Sequence, residues 1–457
     1  PLYSSAASDV YKRQKNKCSI IILSTEKEGM GVIKKTIFHI DVNSAFLSWE
    51  AAYRIHHLGG SLDLRLIPSA IGGSTEMRHG IILAKSTPAK KYGITTGMTT
   101  VEAMQKCPGL YLAPPNYSLY QRCSKAFLSI LREYTPDVEV YSIDEAFLDM
   151  TGVMHLYRNA VDVADEIRER IREELGFTVN VGISENKLLA KMAGELRKPD
   201  YTHTLFSEEI PEKLWPLPVR ELFFCGRASE EKLKKLGIDT IGQLANASPD
   251  LLRMHMKSQG QILWGYANGI DTSEVIKQPP KQKGYGNSTT APYDICDMDT
   301  ARMILLALAE TVGTRLRKDK VKAGVLSVSI CTSGLKRMGH QRVLRDETNI
   351  TVELYRESCR LLEELWDGKT SIRQFGIHTS RLCDAASFRQ LDFFADFDYV
   401  KYENLDKTVD TIRGRYGMDS VKRAVFLCQS GIRPIDHMEG GISREKRTVD
   451  YTKLNVI

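Results

Sequence analysis

YSIDEAFLD, residues 141–149, sets two adjacent acids inside an otherwise apolar strand. Asp144 and Glu145 fall between Ile143 and Ala146-Phe147-Leu148, where a carboxylate is costly unless a cation neutralises it. Earlier in the chain, KTIFHIDV (35–42) is a second apolar strand, and it also ends on an acid, Asp41. Magnesium suits such a set, being a hard ion that takes one or two carboxylates together with phosphate oxygens. Two such ions about 3.5–4 Å apart would clamp the attacking and leaving oxygens of a phosphoryl displacement. Taken alone, an Asp-Glu pair usually marks a solvated turn, and a single Asp41 is unremarkable. What lies between and after these strands decides the matter.

Working outward, Ser44–Leu58 reads as a helix ended by Gly59-Gly60, followed by strands at Leu64–Ile67 and His79–Ala84. Lys90–Gly97 is basic and turn-rich, Val101–Lys106 is a short helix, and Tyr117–Tyr134 is a long amphipathic one. Strands at Val138–Tyr141 and Ala146–Asp149, a helix at Val161–Leu175 and a strand at Phe177–Ser184 complete a β-α-β-β-α-β order. That order predicts a ferredoxin-like sheet backed by helices. From 211 to 270 the chain breaks into short helices punctuated by glycine, and QPPKQKGYG (278–286) reads as a linker. A second α/β unit follows: a helix at Met298–Asp319, strands at Val325–Thr332, Arg342–Leu344 and Ser371–Thr379, and a helix at Ile350–Leu365. Residues 400–457 read as a helix and a polar tail. The fold class is α+β, in several domains.

The 457 residues exceed one ordinary core, and 42% apolar with 26% charged side chains describes a globular chain. The net charge of +6, from 63 basic and 57 acidic residues, fits a nucleic-acid partner only if the basic residues cluster. Nine scattered cysteines with no Cys-x-x-Cys suggest reduced thiols and a cytoplasmic setting. Ile20–Leu23 is too short for a membrane span or a signal-peptide core, so no membrane partner is expected. Leu2–Gln14 (LYSSAASDVYKRQ) resembles translated adapter sequence; residues 1–29 are set aside as a leader, with Met30-Gly31 the expected start.

HIDVNSAFLSWE (39–50), YSIDEAFLDMTG (141–152) and VGISENKLLAKMAGELRKPD (181–200) resemble, in order and spacing, the Y-family DNA polymerases. The likeness is to the bacterial branch of DNA polymerase IV and UmuC-type proteins and runs from about residue 34 to about 425. It implies a right-hand polymerase: a ferredoxin-like palm (30–58 and 108–205), small fingers (59–107) and a helix-hairpin-helix thumb (206–277). After the linker it implies an α/β little finger (287–385) and a C-terminal tail (386–457). The implied activity is template-directed, low-fidelity translesion synthesis without proofreading, by a monomer acting on primer-template DNA and deoxynucleoside triphosphates.

The resemblance also implies roles. Asp41, Asp144 and Glu145 are the catalytic acids, binding two Mg²⁺ ions with the backbone carbonyl of Val42. Phe46 is the steric gate, a ring under the sugar that excludes a 2′-hydroxyl. Asn43, Ser44 and Ala45 open a helix whose amides would receive triphosphate oxygens, and Lys198 would offset phosphate charge. In the fingers, Thr87 and Lys90 stand where the family often has a tyrosine and an arginine, giving one hydroxyl and one charge without a bidentate fork. In LFFCGRASEEKLKKLGIDTIGQL (222–244) the run Cys225-Gly226-Arg227 replaces the usual Gly-x-Gly of the thumb hairpin, which contacts phosphates without reading sequence. Arg337, His340, Arg342 and Arg345 could follow a DNA backbone, or serve only to charge an edge strand against aggregation. Gln390-Leu391-Asp392-Phe393-Phe394 resembles the peptide that inserts into the sliding clamp. Two other readings compete: a silent DNA-binding adaptor, against which the retained acids argue, and a nucleotide cyclase, which leaves the thumb and little finger unexplained.

Overall fold

The computed structural model describes residues 35–73, 80–387, 398–417 and 420–426. The leader and the clamp-like peptide Gln390–Phe394 lie outside them.

The chain's alternation builds the first sheet. In β1 (Ile37–Val42), Phe38, Ile40 and Val42 face one way and His39 and Asp41 the other, as the two-residue period requires. β1 lies between β6 (Glu145–Asp149) and β7 (Val179–Ser184), antiparallel to both. With β5 (Val138–Val140) and β8 (Thr202–Thr204) the strand order is β5-β6-β1-β7-β8. Without β8 this is the ferredoxin-like order predicted from the sequence. Phe38, Ile40 and Val42 join Ala146, Leu148, Val179, Val181 and Ile183 in one core with the helices Tyr117–Tyr134 and Ala160–Leu175. Asn159 caps the second of these helices and Gly176 ends it in the left-handed conformation.

The opposite face carries the chemistry. Register places Asp41 between Glu145 and Asn180, and His39 between Phe147 and Gly182. The helix Lys187–Glu195 lies on this face, so close that a Cβ at Gly182 would sit 1.9 Å from the carbonyl oxygen of Ala190. Only glycine permits that approach. Asn180 donates through Nδ2 to the carbonyls of Gly194 (3.0 Å) and Arg197 (2.7 Å), fixing the chain as it leaves the helix toward Lys198.

A smaller three-stranded sheet is inserted after the helix Ala45–Leu58, with the strand that comes first in the chain at its centre. Its strands are β2 (Ser69–Gly72), β3 (Ile82–Lys85) and β4 (Tyr111–Ala113). The strand expected at Leu64–Ile67 is a turn instead: Leu64 is anchored in a core while Leu66 stands 76% exposed, and the strand begins only after Pro68. Because β4 pairs with β2, this unit extends past the expected limit at residue 107.

Between residues 227 and 267 four helices pack on a core that includes Leu188, Leu189, Met192 and Ala193, so the helix on the first sheet serves both units. Phe224, half exposed with φ 69°, takes the left-handed turn before the hairpin's helix Arg227–Lys235.

The last sheet runs β11-β10-β12-β9, all antiparallel, from β9 (Gly284–Ile295), β10 (Val321–Thr332), β11 (Arg337–Thr348) and β12 (Ile372–Asp384). The linker expected over 278–286 ends instead in the first three residues of β9, a strand that the sequence pattern does not show. The edge strand around Arg342–Leu344 is real and much longer than expected. Helices Met298–Lys318 and Thr351–Leu365 contribute to the same core as the sheet. A further helix, Tyr399–Tyr416, docks on Met298–Lys318 through buried and half-buried charges: Arg317 bonds Asp406 (3.1 Å) and Asp410 (2.6 Å), and Glu310 takes Arg413 (3.4 Å) and, from the segment after the helix, Arg423 (2.5 Å). Among the described residues no helix is long and apolar enough to cross a membrane.

Candidate active site

A cleft of about 260 Å³ separates the first sheet from the inserted one. Asp41, Val42, Ser44, Ala45, Phe46 and Asp144 line one wall; Leu83, Ala84, Lys85, Lys90 and Thr96 line the other. The two halves of the acidic motif, far apart in sequence, meet through the sheet: Asp41 pairs with Glu145, and the Val42 amide donates to the Asp144 carbonyl at 3.0 Å. Asp144 sits in the turn entering β6, where the Ser142 hydroxyl donates to its Oδ1 at 2.5 Å.

Burial pushes the Asp41 carboxyl up to about 6, against the pull of the Lys198 ammonium, which donates to Oδ2 at 2.5 Å. Lys198 also pairs with Glu195 at 2.6 Å. Burial opposes the lysine's charge, but the two carboxylates outweigh it and hold its pKa above the ordinary value. An ammonium drawn onto a buried carboxylate marks a position that favours positive charge, and Asp41 with Asp144 offers the hard oxygen donors a divalent cation takes.

Glu145 is arranged differently from the expectation. It does not line the cleft; its Oε2 accepts from His39 Nε2 at 3.0 Å and from the Lys191 ammonium. Burial pushes this carboxyl up, but those two hydrogen bonds and the Lys191 charge hold it at about 2. His39 is fully buried, and burial drives its pKa below the ordinary value despite Glu145. Among the described residues no group of three or more His, Cys, Asp or Glu is set to hold a metal ion. The anticipated three-carboxylate set is therefore two acids at the cleft and a third held aside.

Phe46 stacks on Tyr120, centroids 4.4 Å apart and planes 7° from parallel, with Trp49 at 5.9 Å. Ser44 caps the helix at φ 50°, a left-handed conformation costing a non-glycine residue roughly 1–2 kcal/mol and typical of functional sites. Asn43 and Thr87, expected at the triphosphate, stand off the cleft wall in this structure. Asn43 is buried, its amide donating to the Thr178 carbonyl at 3.0 Å and its Nδ2 to the Thr178 hydroxyl at 3.2 Å. Thr87 is exposed on the short helix Thr87–Lys90 and does not line the cleft.

Four lining residues, Leu83, Ala84, Lys85 and Thr96, escaped the sequence reading. Lys85 donates to the Thr96 hydroxyl at 3.2 Å, and burial, helped by the nearby Lys90 charge, pushes its pKa down. Strand alternation in β3 was the available signal; it sends Lys85 and Leu83 to the same face. On β11, Arg342 is bound to Glu357 (2.8 Å) and Glu364, and His340 to Glu364 (3.2 Å), so of the four expected backbone followers these two are already committed within the domain.

Comparison with known proteins agrees with this architecture. Residues 40–195 match the impB/mucB/samB family, 282–393 its C-terminal domain, and 207–238 the helix-hairpin-helix motif of the same family. A DNA polymerase IV of Clostridium acetobutylicum is 43% identical over 86% of this chain and 99% of its own length. That of Acetivibrio thermocellus is 37% identical over 88% and 100%, and DNA polymerase IV 1 of Bacillus subtilis is 34% identical over 86% and 93%. A solved Y-family DNA polymerase chimera superposes with a TM-score of 0.67 at 21% identity, covering 76% of this chain and 99% of that one. With its palm, fingers, thumb and little finger all accounted for, this chain belongs to the Y-family of DNA polymerases, in the bacterial DNA polymerase IV branch.

Proposed function

We propose that the chain is a template-directed, low-fidelity DNA polymerase of translesion synthesis. The primer 3′-hydroxyl attacks the α-phosphorus of a deoxynucleoside triphosphate, and pyrophosphate leaves. The observation that carries this reading is the cleft itself: two carboxylates on the palm wall, two lysines on the fingers wall, and a stacked phenylalanine beside them. Asp41 and Asp144 would hold divalent cations, with Glu145 joining once released. Magnesium, as two ions, supplies charge that activates the hydroxyl and offsets the leaving phosphate. Lys198 stands ready to trade Asp41 for phosphate oxygens, and the first-turn amides at Ala45 and Phe46 point the positive end of a helix at the same place. We further propose that the enzyme acts as a monomer in the bacterial cytoplasm at the nucleoid, and that the peptide Gln390–Phe394 engages the sliding clamp.

Running-start primer extension on undamaged and abasic templates tests the function. Template-dictated incorporation that stops when chelator removes divalent cation is expected; no extension of any primer sinks the proposal.

Lys85 is half-buried beside the like charge of the exposed Lys90, an arrangement that an anion between them would relieve. Replacing Lys85 by alanine should raise the KM for the incoming nucleotide about tenfold while kcat stays within a few-fold. Steady-state incorporation on an undamaged template measures it; an unchanged KM would remove Lys85 from the triphosphate site.

A further inference from the structure

Glu145 and Asp41 are cross-strand partners on one face of the sheet, so geometry alone would allow both carboxylates to turn to the cleft. Only one does. The cause sits on the helix Lys187–Glu195, which Gly182 admits to near contact with the sheet. From that helix the Lys191 ammonium reaches Glu145 Oε2 and lies over the rings of Tyr141 (5.3 Å) and Phe223 (5.6 Å). His39 Nε2, 3.5 Å from the Lys191 ammonium, donates to the same carboxylate oxygen. The lysine is 13% exposed and thus held by a carboxylate and two aromatic faces at once.

We propose that Lys191 is a positioning residue that holds Glu145 off the metal-binding carboxylates and thereby sets how much divalent cation the site requires. The inference rests on the reading of Asp41 and Asp144 as metal ligands. A fixed internal cation and an arriving divalent ion compete for one carboxylate, and the divalent ion gains the third ligand only by displacing the first. The competition needs no DNA and no nucleotide. His39, lacking a formal charge when neutral, steers the carboxylate without competing for it in the same way.

Mn²⁺ binding to the full-length chain, followed by electron paramagnetic resonance, tests this without reference to turnover. Lys191→Met, which keeps the apolar stem between the two rings, should tighten Mn²⁺ binding about tenfold. Lys191→Gln should act in the same direction, and Lys191→Arg should bind as the wild type does. The gain should vanish when Lys191→Met is combined with Glu145→Gln, because the released ligand is then missing. An unchanged or weakened Mn²⁺ affinity in both Lys191→Met and Lys191→Gln overturns the proposal, as does a gain that persists without Glu145. If Asp41→Asn leaves Mn²⁺ binding untouched, the metal-site reading itself fails and takes this inference with it. If Asp41→Asn abolishes binding while the two Lys191 variants match wild type, only the present inference falls.

Discussion

An Asp41→Asn or Asp144→Ala variant is expected to lose at least about 10³-fold in nucleotide incorporation, since each removes an oxygen that would hold catalytic cation at the reacting phosphate. The two should differ in stability. Asp41 is 13% exposed and its carboxyl is pushed from 3.8 up to about 6, so at neutral pH the folded chain bears a charge that burial disfavours. The sign follows from proton binding. The folded state holds this proton more tightly than the unfolded one, so its contribution to stability is greatest below about pH 4 and is lost as the pH rises to 6. Above that range the penalty is complete and corresponds to roughly 3 kcal/mol. Asp41→Asn should therefore raise the stability of the chelator-treated protein by on the order of 1–3 kcal/mol at pH 8 and by little near pH 4. Thermal melts at the two pH values, alongside single-turnover incorporation, give both readouts. Full activity in the asparagine variant would dismiss Asp41 from the chemistry, and a loss of stability at pH 8 would show that its pairing with Lys198 outweighs burial.

Phe46→Ala should lower discrimination against ribonucleotides about 10²–10³-fold. The ring lines the cleft and cannot retreat, being stacked flat on Tyr120 and flanked by Trp49 and Tyr117. A 2′-hydroxyl pressed against it meets overpacking of roughly 1–3 kcal/mol and leaves a polar group unsatisfied at about 1–3 kcal/mol more. Deoxynucleotide incorporation should fall only a few-fold, because the alanine still closes the first helical turn. Matched single-turnover measurements with ribo- and deoxynucleoside triphosphates decide it. An unchanged ratio would reduce Phe46 to a core aromatic.

Much of this architecture could be read from the chain because strong periodicity dominates at its centre. The alternation of Phe38, Ile40 and Val42 against His39 and Asp41 sets the sheet face, and Tyr117–Tyr134 is bounded as expected because Asn116 caps it and its apolar stripe is continuous. β9 was missed for the opposite reason. Its opening glycines look like linker, yet Gly284 lies against β12 where a Cβ would meet the Thr379 carbonyl at 2.2 Å. Such closeness is a property of the partner strand and leaves no local pattern. Convergence of Asp41 with Asp144 was legible as motif order. The side-chain direction of Glu145 was not, since it depends on Lys191, 46 positions away on a helix whose approach is licensed by Gly182. The surroundings of Asn43 were not legible either, because its hydrogen bonds go to Thr178, 135 positions away.

The ion pairs beneath the last helix behave unlike the contacts a polymerase makes with a template. Arg317 and Asp406 are 9% and 7% exposed, and Arg413 and Glu310 are 4% and 5% exposed, so mobile ions scarcely reach between them. Phosphate contacts on open lysines and arginines weaken steeply as electrolyte is added. A brine strong enough to strip this protein from its duplex would thus leave Tyr399–Tyr416 seated, so purification through high ionic strength delivers a chain free of nucleic acid with its carboxyl-terminal brace intact.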